Sequence, residues 1–187
     1  MNWTQRRRRK ARRRVLLRLL GGLVGVLACG YLVGLTLGSE QVVSAELRLA
    51  GPPEAIWRVL LDLDGMPLWR SDLVALERLP EQAGRPAWRE VGRSSARVIA
   101  LTAAEPPHRL VLSRSEAGEP SLPVRTFELA SMEGGTVLTV TERSLVRNPL
   151  RRLLYRLLPP RAGIVRLLHD LGSRLQGSRR EVVAHPE

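Results

Sequence analysis

The stretch VRTFELASMEGGTVLTVTERSL, residues 124–145, decides the fold. Two short β-like runs, Val124–Met132 and Thr136–Leu145, flank Glu133-Gly134-Gly135, an order that predicts an antiparallel hairpin. Working back along the chain, similar short runs recur at Leu73–Leu79, Ala87–Val91, Ser95–Ala103 and Arg109–Ser115. Pro80 to Pro86, Gly92, Pro106-Pro107 and Gly118 to Pro123 punctuate them. No helical period intervenes, so the run of six strands predicts an antiparallel meander and excludes βαβ units. Gln41–Leu49 reads as a further strand, which makes seven.

The helical periods lie outside the meander. In EAIWRVLLDLD, residues 54–64, Ile56, Val59, Leu60 and Leu63 fall on one helical face, and Pro53 suits the first turn. Asp64 to Pro67 stops that helix, and a short helical turn follows through Leu68, Trp69 and Arg70. After the last strand, Asn148 can cap LRRLLYRLL until Pro159-Pro160 interrupts it. Ile164, Leu167, Leu168, Leu171 and Leu175 then form an amphipathic stripe that ends near Gly177. The predicted class is α+β, a curved antiparallel seven-stranded sheet around a long C-terminal helix.

The formal charge of +12 would suggest a nucleic-acid binder if it were spread over the surface. It is concentrated instead. Residues 1–18 hold nine basic side chains and no acid, residues 143–166 hold seven arginines and no acid, and the rest of the chain is slightly acidic. No nucleic-acid partner is expected. The uncharged run LLGGLVGVLACGYLVGLTL, residues 19–37, follows the first cluster directly. At 1.5 Å per residue such a run spans roughly 28 Å, close to the thickness of a bilayer core. A transmembrane helix is therefore predicted over 15–38, after a basic cytoplasmic segment 1–14. By the positive-inside rule the domain from Ser39 onward is extracytoplasmic. The run exceeds the apolar core of an ordinary signal peptide, although Val43-Ser44-Ala45 resembles a cleavage site. Val26-Leu27-Ala28-Cys29 loosely resembles a lipobox, but apolar residues continue beyond Cys29 where a polar tether belongs. Gly30, Gly34 and Gly38 recur every four residues, a spacing that suits close helix approach and a homodimer of spans.

The organisation resembles the START-like, or SRPBCC, superfamily with its helix-grip fold, and within it the polyketide cyclase/dehydrase-like branch. GPPEAIWRVLLDLDGMPLW (51–69) is similar to the opening stretch of that family, with Met66 where many members carry a tryptophan. SDLVALERL (71–79), EPPHRLVLS (105–113), GGTVLTVTE (134–142), NPLRRLLYRLL (148–158) and LGSRLQG (171–177) extend the likeness over about residues 42–177. The expected domain is 39–177, with a frayed tail at 178–187. The resemblance implies a cavity under the C-terminal helix for an apolar ligand such as a lipid, polyketide, sterol or quinone. It implies no particular reaction. Trp57 and Trp69 read either as core aromatics or as lining near the cavity entrance. Phe127, Leu129, Leu138, Val140, Leu167, Leu168 and Leu171 are the other expected lining residues, each equally suited to a core.

Catalytic signals are sparse. His108 sits in a Pro-rich turn, His169 on the C-terminal helix and His185 in the tail, and none has a nucleophile or acid at triad spacing. Glu142 and His169 are the candidate acid/base groups, with Glu142 read alternatively as a partner of Arg125 or Arg143. One cysteine and no Cys/His cluster give no reason to expect a metal or other cofactor. In the basic segment, arginines alternate with Leu150, Leu153, Leu154, Leu157 and Leu158. Either Arg151, Arg152 and Arg156 face an anionic membrane surface, or they form a solvated face over leucines packed on the sheet.

Overall fold

The computed structural model describes residues 3–93, 95–116, 119–175 and 182–185. These divide into two compact units, one of residues 1–39 with 146–158 and one of residues 40–145 with 159–187.

In the first unit a single helix, α1 (Trp3–Thr36), runs through the basic segment and the apolar segment without a break. Its stretch Leu16–Thr36 is long and apolar enough to cross a membrane. The helix α3 (Pro149–Leu157) packs against α1. Its start follows the predicted cap: the Asn148 side-chain oxygen accepts hydrogen bonds from the backbone N–H of Leu150 at 2.9 Å and Arg151 at 3.3 Å. Pro149 occupies the first turn, where its missing N–H costs nothing. Asn148→Ala is expected to cost about 1 kcal/mol of helix stability, roughly a fivefold faster hydrogen exchange at the first amides of α3. An unchanged exchange rate would show that the cap contributes nothing.

The glycine face of α1 is met by α3 of the same chain. A Cβ on Gly30 would lie 3.5 Å from the side chains of Leu150 and Leu153, and the Pro149 carbonyl lies where a Cβ on Gly34 would stand. Leucines of the basic segment thus pack on α1, a third arrangement beside the two read from the sequence. Arg152 is half-buried and ties the ends of this unit together. Its Nε donates to the Val146 carbonyl at 2.8 Å, its Nη1 to the Leu37 carbonyl and its Nη2 to the Arg147 carbonyl, both at 3.3 Å. Backbone pairing of Val146 with Ser39 closes the same joint.

The second unit is an antiparallel sheet: β1 (Glu40–Leu49), β2 (Leu73–Gln82), β3 (Arg85–Gly92), β4 (Ala96–Glu105), β5 (Arg109–Glu116), β6 (Glu119–Met132), β7 (Gly135–Leu145) and β8 (Val182–His185). Their spatial order is β2-β3-β4-β5-β6-β7-β1-β8. The meander runs from β2 to β7, and β1 joins it beside β7 after the excursion through α2 (Pro53–Leu61) and a 3-10 turn at Met66–Leu68. The seven predicted strands are β1 to β7. The eighth falls within the segment expected to be a tail and pairs Ser44–Leu47 of β1 with Val182–His185. The remaining tail residues lie outside those described.

Pro80 to Pro86, read from the sequence as a loop, is mostly strand. Ala83 and Gly84 both have left-handed φ, +49° and +72°, and make a two-residue turn whose twist suits a hairpin. Pro80 is tolerated because β2 is the edge of the sheet, and the ladder there is irregular between Leu79 and Gln82.

The core lies between the sheet and the helices α2 and α4 (Ala162–Arg174). Alternation decides which strand residues enter it: Val43, Ala45, Leu47 and Leu49 from β1, and Thr136, Leu138 and Val140 from β7, are all buried. Ile164, Leu167, Leu168 and Leu171, the predicted stripe, bury the face of α4 against them. Asp170 fixes α4 at its other side, accepting from the Ser71 N–H at 2.8 Å and the Ser71 hydroxyl at 2.7 Å.

Candidate functional site

The inner face of the sheet changes character along the strands. At the end under α4 and α2 it is apolar except for Thr136, whose buried hydroxyl donates to the Gly51 carbonyl at 2.8 Å. Further along, Glu90 (β3) pairs with Arg97 (β4), Ile99 (β4) with Arg114 (β5), Leu112 (β5) with Arg125 (β6), and Arg125 with Glu142 (β7). The period of two places Glu90 on the side of Trp88, and Arg125 on the side of Phe127. Charged side chains therefore enter the concave face one strand-step beyond the core.

These residues enclose a concavity of ≈ 380 Å³, open solvent at its mouth included. Its walls are Glu90, Arg97, Ile99, Leu112, Ser113, Arg114, Pro123, Arg125 and Glu142. Three arginines stand against two glutamates, with Ile99, Leu112 and Pro123 supplying apolar surface. Most of that space is open to solvent: the part that takes water-sized occupants is about 30 Å³, so this is a shallow recess in the sheet face.

A buried ion network holds one wall. Arg70, directly after the 3-10 turn, is 3% exposed, and Glu90 is 4% exposed. Arg70 Nη1 donates to Glu90 Oε1 at 2.7 Å, while its Nη2 and Nε donate to the two oxygens of Asp72 at 2.7 and 3.1 Å. Arg97 Nε donates to the second Glu90 oxygen at 2.7 Å. Burial by itself would push the Glu90 carboxyl up. The charges of Arg70 and Arg97, with the hydrogen bonds both donate, outweigh it and hold that carboxyl below its ordinary value. Asp72 is likewise held low: partial burial raises it, and Arg70 outweighs that through hydrogen bonding and charge. For Arg70, burial favours loss of the proton but is outweighed by the hydrogen bond to Asp72 and the two carboxylate charges, which raise its pKa.

Both carboxyls titrate lower in the folded chain than in the unfolded one, so the unfolded chain binds more protons as acid is added. Their stabilisation is complete above the ordinary values of 4.5 for Glu90 and 3.8 for Asp72, and is lost as pH falls through the lower folded-state values. The urea midpoint should therefore fall between about pH 6 and pH 3. A smaller fall in Glu90→Gln would assign it to this network, whereas an equal fall would not.

The opposite wall is a second pair. Arg125 Nη2 and Nε donate to Glu142 Oε2 at 2.6 and 3.1 Å. Glu142 thus stands in the concavity with Arg125 as its partner. His169, the other candidate acid/base group, is 65% exposed on α4 and is not among the lining residues. His108 is exposed in the β4–β5 turn, and His185 lies in β8, whose side chains are outside those described.

The residues expected to line an apolar cavity lie elsewhere on the same face. Trp57, Phe127, Leu129, Leu138, Val140, Leu167, Leu168 and Leu171 are buried in one another's contact, and Trp69 packs half-buried against them. They are the core. Arg70, in the turn before β2, is expected from the sequence only as part of a helical turn. Glu90, Arg97 and Arg114 are not among the residues expected at the site, because a charged residue in a strand ordinarily points to water. The alternation Trp88, Glu90 and Arg97, Ile99 is the signal that turns them inward. Of the arginines expected at a membrane surface, Arg151 and Arg156 are exposed, while Arg152 is engaged with three carbonyls. Among the described residues no cluster of His, Cys, Asp and Glu is arranged to hold a metal ion.

No protein-family model matches the chain, and no curated protein is similar to it in sequence. Solved structures are similar in fold. The aromatase/cyclase Zhui from a Streptomyces species is 14% identical with a TM-score of 0.56, over 73% of this chain and 93% of that one. A norcoclaurine synthase from Thalictrum is 11% identical with a TM-score of 0.57, over 73% and 94%. StfQ, a di-domain aromatase/cyclase of the steffimycin biosynthetic pathway, is 12% identical with a TM-score of 0.57 over 72% of this chain. This chain spans half the length of StfQ. At such identities the likeness is one of fold: an α+β, helix-grip-like antiparallel sheet, in a chain that also carries a helix long and apolar enough to cross a membrane.

Proposed function

We propose that this is a membrane-anchored domain that holds a hydrophobic small molecule, lipid-, polyketide- or quinone-like, by its polar end, without transforming it. The carrying observation is the concavity in which three arginines and two glutamates surround Ile99, Leu112 and Pro123. Such a lining suits an amphipathic molecule whose apolar body rests on the aliphatic side chains and whose oxygen-bearing head meets the guanidinium groups. The α1 helix is the anchor. The basic cluster before it supports a cytoplasmic N-terminus and an extracytoplasmic domain.

Titration of the full chain in mild detergent with decanoate and with its methyl ester, followed by tryptophan fluorescence, tests this. Hydrogen bonds to a charged group contribute about 1.5–3 kcal/mol, so Arg125→Gln should weaken decanoate binding about ten- to a hundredfold. The ester should lose far less. No binding of either, or an equal loss for both, would sink the reading.

A second reading, an enzyme of the cyclase kind, draws support from Glu142 in the same lining. Both Arg125 bonds fall on Oε2, so Oε1 is not committed to that pair. Turnover abolished by Glu142→Gln with ligand binding retained would favour this reading.

A further inference from the structure

The helix α3 carries an apolar face that α1 covers only in part. On a helical projection Leu150, Leu153, Leu154, Leu157 and Leu158 occupy one half, and Arg151, Arg152, Tyr155 and Arg156 the other. Leu150 and Leu153 stand beside Gly30 of α1, 3.5 Å from where its Cβ would be. Leu154, Leu157 and Leu158 are 50%, 71% and 69% exposed. Three neighbouring leucines left open on one helix call for an apolar environment.

Their position along α1 identifies that environment. The α3 contacts fall on Gly30 and Gly34, near the end of the apolar stretch Leu16–Thr36. Gly30 is six residues short of Thr36, roughly 9 Å along the axis. Interfacial amphipathic helices bury their apolar faces to about 5–10 Å, which is the same depth. Charge agrees with depth. Arg151 and Arg156 are exposed on the polar half of α3, within a segment of seven arginines and no acid. A guanidinium there can reach lipid phosphates while its stem stays with the leucines.

We infer that α3 is a second membrane element: a helix seated on the Gly30 and Gly34 face of α1, its Leu154, Leu157 and Leu158 buried in the leaflet at the C-terminal end of the span, with Arg151 and Arg156 at the phosphates. The occupant of the leucine face is lipid. The chain is then held by a span and a flanking interfacial helix, joined by the Arg152 carbonyl contacts, so the ends of α1 and α3 move as one body in the membrane. This rests on the reading of α1 as a span, and the test separates the two.

Nitroxide labels on single cysteines in a Cys29→Ser background of the full chain, reconstituted in phosphatidylcholine/phosphatidylglycerol vesicles, measure exposure to oxygen, enriched in acyl chains, and to a water-soluble nickel complex. Leu23→Cys reports on the span, Leu157→Cys on the proposed lipid face, and Arg156→Cys on the polar half of α3. The expected result is oxygen contact dominating at positions 23 and 157, and nickel contact rising sharply at 156. Oxygen dominating at 23 with nickel dominating at 157 overturns the inference and leaves the span intact. Nickel dominating at both overturns the two together. A label at 157 shielded from both reagents means that protein, such as a second copy of the chain, covers the leucines, which also overturns it.

Discussion

Glu90→Ala is expected to destabilise the domain by about 3–5 kcal/mol, the usual cost of removing one partner from a buried ion pair. The cost comes from what is left behind. Arg70 is 3% exposed and cannot reach water, so without Glu90 its Nη1 keeps only the weak contact to Met66 Sδ at 3.9 Å. Asp72 still holds the other side of the guanidinium through two hydrogen bonds, which keeps the loss finite. The double variant Arg70→Met with Glu90→Leu removes both charges and should recover much of the loss, since a buried pair contributes little beyond a well-packed apolar one. Urea denaturation of the full chain in detergent, followed by tryptophan fluorescence, reads both. A loss under about 1 kcal/mol for Glu90→Ala would mean that Arg70 finds water and that the wall is looser than described.

Leu168→Ala should cost about 3 kcal/mol by the same measurement, within the range for fully buried leucines. Leu168 is completely inaccessible on α4, among Ile164, Leu167 and Leu171 and facing strand residues of the sheet. Truncation leaves a cavity that a helix pinned by the Ser71–Asp170 bonds cannot collapse to fill. Leu61→Ala, on the exposed side of α2, should change stability by no more than about 0.5 kcal/mol. Equal costs at the two positions would mean that α4 does not close the core.

The strands were legible because their residues obey a local rule. Alternation in VRTFELASM and TVLTVTERSL marks both the strand and the face it buries, and the register of β6 on β7 follows from the short turn between them. Pro80 misled for an equally local reason. Proline breaks central strands, and only the spatial order shows that β2 is an edge. The charged concavity was legible in one pair alone. Arg125 and Glu142 were readable as partners, whereas Arg70, Glu90, Arg97 and Arg114 required the register of four strands and the turn before β2. Charge in a strand has two meanings, a solvent face or an inward network, and residue type does not distinguish them. The α3 leucines pose the same ambiguity on a helix. Their amphipathic period fixes a face but not its partner, which is set by Gly30 and Gly34, more than a hundred positions away in sequence.

Native mass spectrometry of the full chain released from mild detergent shows whether the charged concavity holds an amphipathic small molecule. A non-covalent small-molecule mass is expected on the wild-type chain and is expected to be missing from Arg125→Glu, which reverses the charge at the proposed head group. A chain bare of any such molecule, or one equally occupied in wild type and Arg125→Glu, would contradict the proposed binding.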